Sequence, residues 1–403
     1  MREVAIVAAR RTPIGRHHGV LKDVRPDDLA ALVLKQVVED IQWDPAQVDD
    51  VLLGAANQAG EDNRNVARMA LLLAGFPVSV PGATFNRLCG SSLEAVNRGY
   101  QAICSGDADV IIAGGVESMT RAPFVLPKSP AGFAMGNQQL FDTTIGWRMI
   151  NPRLSEHYYP YSMGETAENL AEQFQISREQ QDRWAFQSHQ RAVSAQENGR
   201  FDREIVAVPI HDAKTGQTRW VTQDEHPRKD TSPEKLGRLK PAFRAGGTVT
   251  AGNASGINDG AAAVILMARD VAESQGLAPL AIIRGTGVAG VDPAIMGYGP
   301  VPASQKALKR AGWALEEIEQ VELNEAFAAQ VLAVLHDLPL DPGIVNPNGG
   351  AIALGHPLGA SGARILTTLI YGMHQSGARR GLAAMCIGVG QGIATLVELP
   401  HLK

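Results

Sequence analysis

The sequence predicts an α/β protein made of two similar halves with an irregular insertion between them, and three observations predict it. Short β-branched runs alternate with longer segments of helical periodicity, the pattern of parallel α/β units. Aromatics are scarce (5%) while glycine is abundant (42 of 403 residues), which suits closely packed layers joined by glycine turns. The order of elements in the first part of the chain recurs in the last. With 45% apolar and 20% charged residues, a chain of this length buries large cores and divides into two or three domains.

Taken in order, Val4–Ala8 reads as a strand and Asp27–Glu39 as a helix whose apolar face carries Leu29, Ala30, Leu32, Val33, Val37 and Val38. Val51–Gly54 is a second strand, running into the loop Ala56–Asn65. Val66–Leu73 is a helix closed by Gly75 and Pro77. The turn Asn86-Arg87-Leu88-Cys89-Gly90-Ser91-Ser92 then leads into a helix on which Leu93, Ala95, Val96, Tyr100, Ala102 and Ile103 recur, with Gly106 as its stop. Asp109–Gly115 is a buried strand. From about Thr120, Pro123, Pro127, Pro130, Pro152 and Pro160 break the chain into irregular pieces. Helices return at Glu165–Gln175 and Ser177–Asn198, the second opening on a capping box of Ser177 and Gln180. We therefore expect an N-terminal half at 1–119, completed by 248–272, a loop domain at 120–247, and a C-terminal half at 273–403.

The last part repeats the first: helix Pro302–Gly312, strand Ile318–Leu323 ending at Asn324, helix Ala326–Leu335, the loop Val345–Ser361, helix Gly362–Gln375 and strand Gly381–Gly388. The strand before Asn57 corresponds to that before Asn324, the Asn86–Ser92 loop to the Asn346–Ser361 loop, and Val110–Gly115 to Ala383–Gly388. Such folds bind ligands at loops that leave the carboxyl ends of parallel strands. Cys89, Asn324, His356 and Cys386 are therefore expected to converge.

Charge and cysteine usage exclude several classes. A net charge of −5 with interspersed signs provides no basic stripe for nucleic acid or an anionic membrane. Three cysteines, Cys89, Cys104 and Cys386, are too few for a disulfide framework and lack metal-type spacing, which points to a reducing compartment and no metal site. The apolar run Val4–Ala9 is too short for a signal segment, and nothing approaches a membrane span. A cytoplasmic protein is expected.

Cys89 at a helix entrance is the candidate nucleophile, because N–H groups there favour the thiolate over a thiol of pKa ~8.5. The alternative is a small buried hydrophobe. His356, ringed by glycines in Gly355-His356-Pro357-Leu358-Gly359-Ala360-Ser361-Gly362, is either structural or a ligand-facing base. Cys386 opens a glycine hairpin, and Asn324 is either an N-cap or a site residue. Cys104 is assigned to the core. Gly388–Gly392 lacks the spacing of a dinucleotide loop.

Four stretches resemble, in order, the active-site loops of the thiolase family: Asn86-Arg87-Leu88-Cys89-Gly90-Ser91, Asn324-Glu325-Ala326-Phe327-Ala328, Asn348–Pro357 and Cys386-Ile387-Gly388-Val389-Gly390-Gln391-Gly392. Met163–Asn169 and Thr250–Gly256 resemble its coenzyme-A-contacting segments, and the likeness begins at Arg11-Thr12-Pro13-Ile14-Gly15. The resemblance implies the thiolase fold, two duplicated α/β halves layered α-β-α-β-α with an inserted loop domain. It implies that Cys89 is acylated, that His356 takes the thiol proton, and that Cys386 is the acid/base at the α-carbon. One oxyanion hole would be the Cys89 and Gly388 N–H groups, the other His356 with a water held by Asn324. Ser255 and Ala251 would line the pantetheine channel, with Met163, Ala326 and Phe327 packing on it and Arg228 near the nucleotide end. No permanently bound cofactor is implied, coenzyme A and acetyl-CoA being substrates. The family forms homodimers or homotetramers, with Thr120–Trp147 as the tetramer loop.

Ser92 replaces a frequent glycine, which either trims the acyl pocket or caps the helix. Ser162 stands where short-chain acetoacetyl-CoA thiolases usually carry histidine. By contrast, Asn57–Asn65 and Asp142–Arg148 resemble the 3-oxoadipyl-CoA (β-ketoadipyl-CoA) branch of the family, and Arg64, Arg68 or Arg148 would pair with a distal carboxylate. The expected activity is thiolytic cleavage of a 3-oxoacyl-CoA to acetyl-CoA and a shortened acyl-CoA. Alternatives are an acetyl-CoA acetyltransferase, a general β-oxidation thiolase, and a non-catalytic CoA- or lipid-binding protein of the same fold.

Overall fold

The run Asn258–Ala268 is buried at every position, so it needs cover on both faces, and the computed structural model, which describes residues 2–130, 132–133, 135–212 and 214–400, supplies it. The first half-sheet contains β1 (Val4–Arg11), β2 (Asp50–Gly54), β3 (Gly82–Phe85), β4 (Val110–Ser118) and β5 (Asn258–Ala268), in the order β3-β2-β4-β5-β1. The second contains β6 (Ala281–Gly290), β7 (Gln320–Leu323), β8 (Arg380–Ile387) and β9 (Gln391–Glu398), in the order β7-β8-β9-β6. Antiparallel pairs from Val4↔Ile283 to Ile6↔Ala281 join β1 to β6, so the half-sheets share one continuous ladder.

The duplication holds strand by strand. β2 runs parallel to β4 as β7 does to β8, and β4 runs antiparallel to β5 as β8 does to β9. Where β3 lies parallel to β2, a single parallel bridge, Val321↔Val345, occupies the equivalent place in the second half.

Period-two alternation divides each strand between two cores. Ala5 and Val7 of β1 face an outer core with Leu29, Val33 and Val37 of α1 (Pro26–Asp40) and Val66 and Leu71 of α2 (Val66–Leu73). Val4 and Ile6 face a central core with Leu93 and Val96 of α3 (Ser91–Ser105) and Ile365 and Leu369 of α8 (Ser361–Ser376). A third core, with Val301 and Ala307 of α6 (Pro300–Ala311) and Val331 of α7 (Ala328–Asp337), covers the far side of the second half. The result is the expected α-β-α-β-α layering. α3 and α8 approach closely at Gly362, where a Cβ would sit 2.5 Å from the Leu93 nitrogen.

The insertion contributes α4 (Met163–Gln173) and α5 (Arg178–Glu197), both opened by capping boxes, Ser162 with Glu165 and Ser177 with Gln180. Two sequence expectations need correction. Strands β3, β5, β6 and β9 are absent from the sequence reading, because β3 is short, β5 is apolar on both faces and so lacks alternation, and glycines and alanines blur the pattern of β6 and β9. Cys104 is only partly buried, its inner side on the central core and its sulfur 3.5 Å from the Arg2 carbonyl, because it lies at the last turn of α3.

Candidate active site

Cys89 sits two residues ahead of α3, on a turn that Leu88 makes with a left-handed φ of 46°. Side chains close that turn. The Leu88 N–H donates to Asn86 Oδ1 (2.9 Å), and the Ser91 hydroxyl donates to the Leu88 carbonyl (2.6 Å). Asn86 Nδ2 donates to the Ala56 carbonyl (2.8 Å), which moors the nucleophile loop to the end of β2. The Cys89 sulfur faces two backbone N–H groups, those of Gly388 and of Cys89 itself.

Burial pushes the Cys89 thiol up to about 11, the two N–H groups pulling it down and the nearby Glu117 carboxylate adding to the rise. The expectation of a thiolate favoured by the helix start is therefore corrected: desolvation outweighs the helix end. The resting thiol is neutral and needs a base.

His356 is buried, and its backbone N–H donates to Asn258 Oδ1 (2.9 Å). Its Nδ1 lies 2.6 Å from Ser361 Oγ, and that hydroxyl donates its one hydrogen to the Pro357 carbonyl (2.8 Å). Nδ1 is thus the protonated nitrogen, and Nε2 carries the basic lone pair, which faces the Asn324 amide as acceptor. Asn324 Nδ2 lies 3.4 Å from Nε2. Burial, with Arg364 adding to it, pushes His356 down to about 3, so the ring is neutral. Asn324 is not an N-cap, since α7 begins at Ala328 with Phe327 in that place; its Oδ1 is buried with no hydrogen-bond partner.

Cys386 is buried near the end of β8, ahead of a hairpin turn in which Val389 adopts φ 60°. Burial raises its thiol, and Cys89 raises it further, so the two sulfurs sense each other. Around Cys386 pack Ala254, Ala326, Phe327 and Met163. The Met163 sulfur lies 3.4 Å from where a Cβ on Gly388 would stand, and the Ser255 N–H donates to the Ala326 carbonyl (2.9 Å). Ala251 is exposed on the same loop as Ser255. Arg228 is exposed too, and joins the cluster indirectly: its N–H donates to His189 (3.3 Å), while neighbouring His226 lies 3.4 Å from Asn258 Nδ2.

Sequence reasoning missed Glu117. At the carboxyl end of β4, its Oε2 accepts from the Ala56 (2.9 Å) and Gly359 (2.8 Å) N–H groups and its Oε1 from Asn57 N–H (3.2 Å). One carboxylate therefore ties the end of β2 to the His356 loop. It pairs with no cation among the described residues, and burial pushes it up to about 7. The available signal was a lone acid closing the apolar run Val110–Val116.

Ser92 neither trims a pocket nor caps its own helix. It is fully buried and accepts from the Ala363 N–H (2.9 Å), satisfying the first turn of α8. Of the three arginines, Arg68 gives its guanidinium to the Val78 (2.9 Å) and Val80 carbonyls. Arg64 is exposed, and Arg148 donates to Asn57 (3.2 Å).

A thiol on the turn before α3, a neutral imidazole on the corresponding loop of the second half and a second thiol at the end of β8 agree with the resemblance, and comparison with known proteins identifies the class. Residues 4–270 match the thiolase N-terminal domain family and residues 277–399 the thiolase C-terminal domain family. The chain belongs to the thiolase family of acyltransferases. It is 54% identical to a β-ketoadipyl-CoA thiolase of Pseudomonas putida, over 99% of this chain and 100% of the relative. It is 53% identical to the 3-oxoadipyl-CoA/3-oxo-5,6-dehydrosuberyl-CoA thiolase of Escherichia coli K12, with the same coverage. Among solved structures, the Bacillus anthracis acetyl-CoA acetyltransferase is similar at a TM-score of 0.94 and 44% identity, covering 99% of both chains. Human mitochondrial 3-ketoacyl-CoA thiolase is similar at 0.93 and 41%, again over 99% of both.

Proposed function

We propose that this thiolase cleaves 3-oxoadipyl-CoA with coenzyme A, giving acetyl-CoA and succinyl-CoA through an acyl-Cys89 intermediate. The observation that carries the chemistry is the neutral, Nε2-basic His356 beside Asn324, on a loop that Glu117 fastens to the strand end mooring the Cys89 turn. His356 Nε2 takes the Cys89 proton as the sulfur attacks the substrate's 3-oxo carbon, and the resulting oxyanion is received by the Cys89 and Gly388 N–H groups. The bond between C2 and C3 breaks. The enolate oxygen of departing acetyl-CoA is held by His356 Nε2–H and a water on Asn324, whose unpartnered buried Oδ1 supports that role. Cys386 gives its thiol proton to C2. In the second half-reaction Cys386 takes the proton of incoming coenzyme A, whose sulfur attacks the acyl thioester, and His356 returns its proton to Cys89.

The substrate is read from the names of relatives more than half identical over the whole chain, together with the Asp142–Arg148 segment. Clustering of Met163, Ala326, Phe327 and Ser255 at Cys386 supports their assignment to the pantetheine channel, with Ala251 and Arg228 further out along it. The division at 1–119 with 248–272, 120–247 and 273–403 follows the same reading. A dimer or dimer of dimers is supported by the one-sided edge strand β3 and by the exposed Phe124, Leu126 and Leu140 of the insertion. No helix among the described residues is long and apolar enough to cross a membrane. We place the enzyme in the cytoplasm, where its thiols stay reduced.

The test is thiolysis of 3-oxoadipyl-CoA, acetoacetyl-CoA and longer uncharged 3-oxoacyl-CoAs, compared by kcat/KM. The highest value is expected for 3-oxoadipyl-CoA; a clear preference for an uncharged substrate would remove that assignment and leave a general thiolase.

A further inference from the structure

Arg148 is tied to the site from two sides. Its Nη2 donates to Asn57 Oδ1 (3.2 Å), and Asn57 is itself fixed by its N–H on Glu117 (3.2 Å). The adjacent Ala56 carbonyl holds Asn86, three residues before Cys89. On the other side, Trp147 Nε1 donates to the Tyr161 carbonyl (2.9 Å), two residues ahead of the Met163 that packs beside Gly388. The dipeptide Trp147-Arg148 therefore links the segment that moors the Cys89 loop to the segment that carries Met163 beside Gly388, whose N–H faces the Cys89 sulfur.

The state of this guanidinium sets it apart. It is half-buried, and among the described residues it pairs with no carboxylate and makes one hydrogen bond, from one of its five N–H donors. Arg68, by contrast, gives both ends of its fork to backbone carbonyls, and Arg64 stands in solvent. A half-buried, fixed guanidinium without a carboxylate partner, linked through Asn57 to the segment that moors the Cys89 loop, is built to meet an anion.

We infer that Arg148, held by Asn57, binds the distal carboxylate of the acyl group and so selects dicarboxylic 3-oxoacyl-CoA substrates; the inference rests on the function proposed above. The planar fork offers paired donors to a carboxylate. An uncharged chain of equal length leaves those donors unmet, so discrimination comes from the missing bonds rather than from size.

The experiment compares wild type, Arg148→Met and Arg148→Lys on 3-oxoadipyl-CoA and on 3-oxohexanoyl-CoA, which has the same chain length without the charge. Arg148→Met is expected to lose about 10- to 100-fold in kcat/KM on the dicarboxylic substrate. On the uncharged one it loses at most about threefold, which also reports that the variant folds. Arg148→Lys restores part of the loss. A parallel fall on both substrates, or an unchanged ratio between them, overturns the role of Arg148. If wild type itself fails to prefer 3-oxoadipyl-CoA, the substrate assignment falls with it, whereas a preference retained by the variant overturns Arg148 alone.

Discussion

At the scale of the residue, the site is built on neutral groups. Cys89 is held up to about 11 and His356 down to about 3, both chiefly by burial, so a standing thiolate–imidazolium pair is disfavoured from both ends. The proton moves only as the carbon–sulfur bond forms. Ser361 makes this workable, because its hydroxyl is committed to the Pro357 carbonyl and so fixes which ring nitrogen is basic. Alkylation of Cys89 by iodoacetamide in the free enzyme should therefore rise about tenfold per pH unit from neutrality, with no plateau before about pH 10. A plateau near pH 7, followed by mass spectrometry of the Cys89 peptide, would show a resting thiolate instead. Cys89, His356 and Cys386 stand out as candidates from their motifs; the shifts of their titration are not legible there, because burial is a property of the folded surroundings.

At the scale of the element, the strand ends and helix starts that deliver these residues were mostly legible from periodicity and glycine stops. α2 runs from Val66 to Leu73 as its apolar spacing predicts, and Gly106 ends α3 in a left-handed cap. What could not be read is how the loops are fastened together. That fastening is made by buried carboxylates on distant donors, backbone N–H groups for Glu117 and mostly side chains for Glu325. Glu117 joins the β2 end to the His356 loop, and Glu325 accepts from Trp184 (2.9 Å) and Ser188 (2.6 Å) of α5, Asn346 (2.9 Å) and the Ile352 N–H (3.2 Å). Such bonds have no sequence period. Glu117→Gln turns an acceptor toward backbone donors into a competing N–H2, and it should cost about 1–3 kcal/mol of stability by urea unfolding. It should also lower kcat more than it raises KM, since the His356 loop loses its tether to the Cys89 side. A midpoint within error of wild type together with unchanged kcat would show that Glu117 holds nothing.

At the scale of the whole molecule, the duplication explains how one chain can supply all the residues of the proposed site. Each half presents a loop after a parallel strand, and packing α3 on α8 at Gly362 sets the two loop sets against each other. The repeat of element order predicted this pairing, and the strand registers carry it down to the Val321↔Val345 bridge. In the proposed mechanism the nucleophile Cys89 thus comes from the first half, and its base His356, Asn324 and Cys386 from the second.

The central claim is that Cys89 is acylated with the help of a base from the opposite half. It is tested most directly by rapid quenching after mixing enzyme with 3-oxoadipyl-CoA in the absence of free coenzyme A, followed by peptide mass spectrometry. The account predicts a succinyl thioester on Cys89 in the wild type, formed at least about 100-fold more slowly in His356→Gln and absent in Cys89→Ala. An adduct on another residue, or undiminished acylation of Cys89 in His356→Gln, would contradict it.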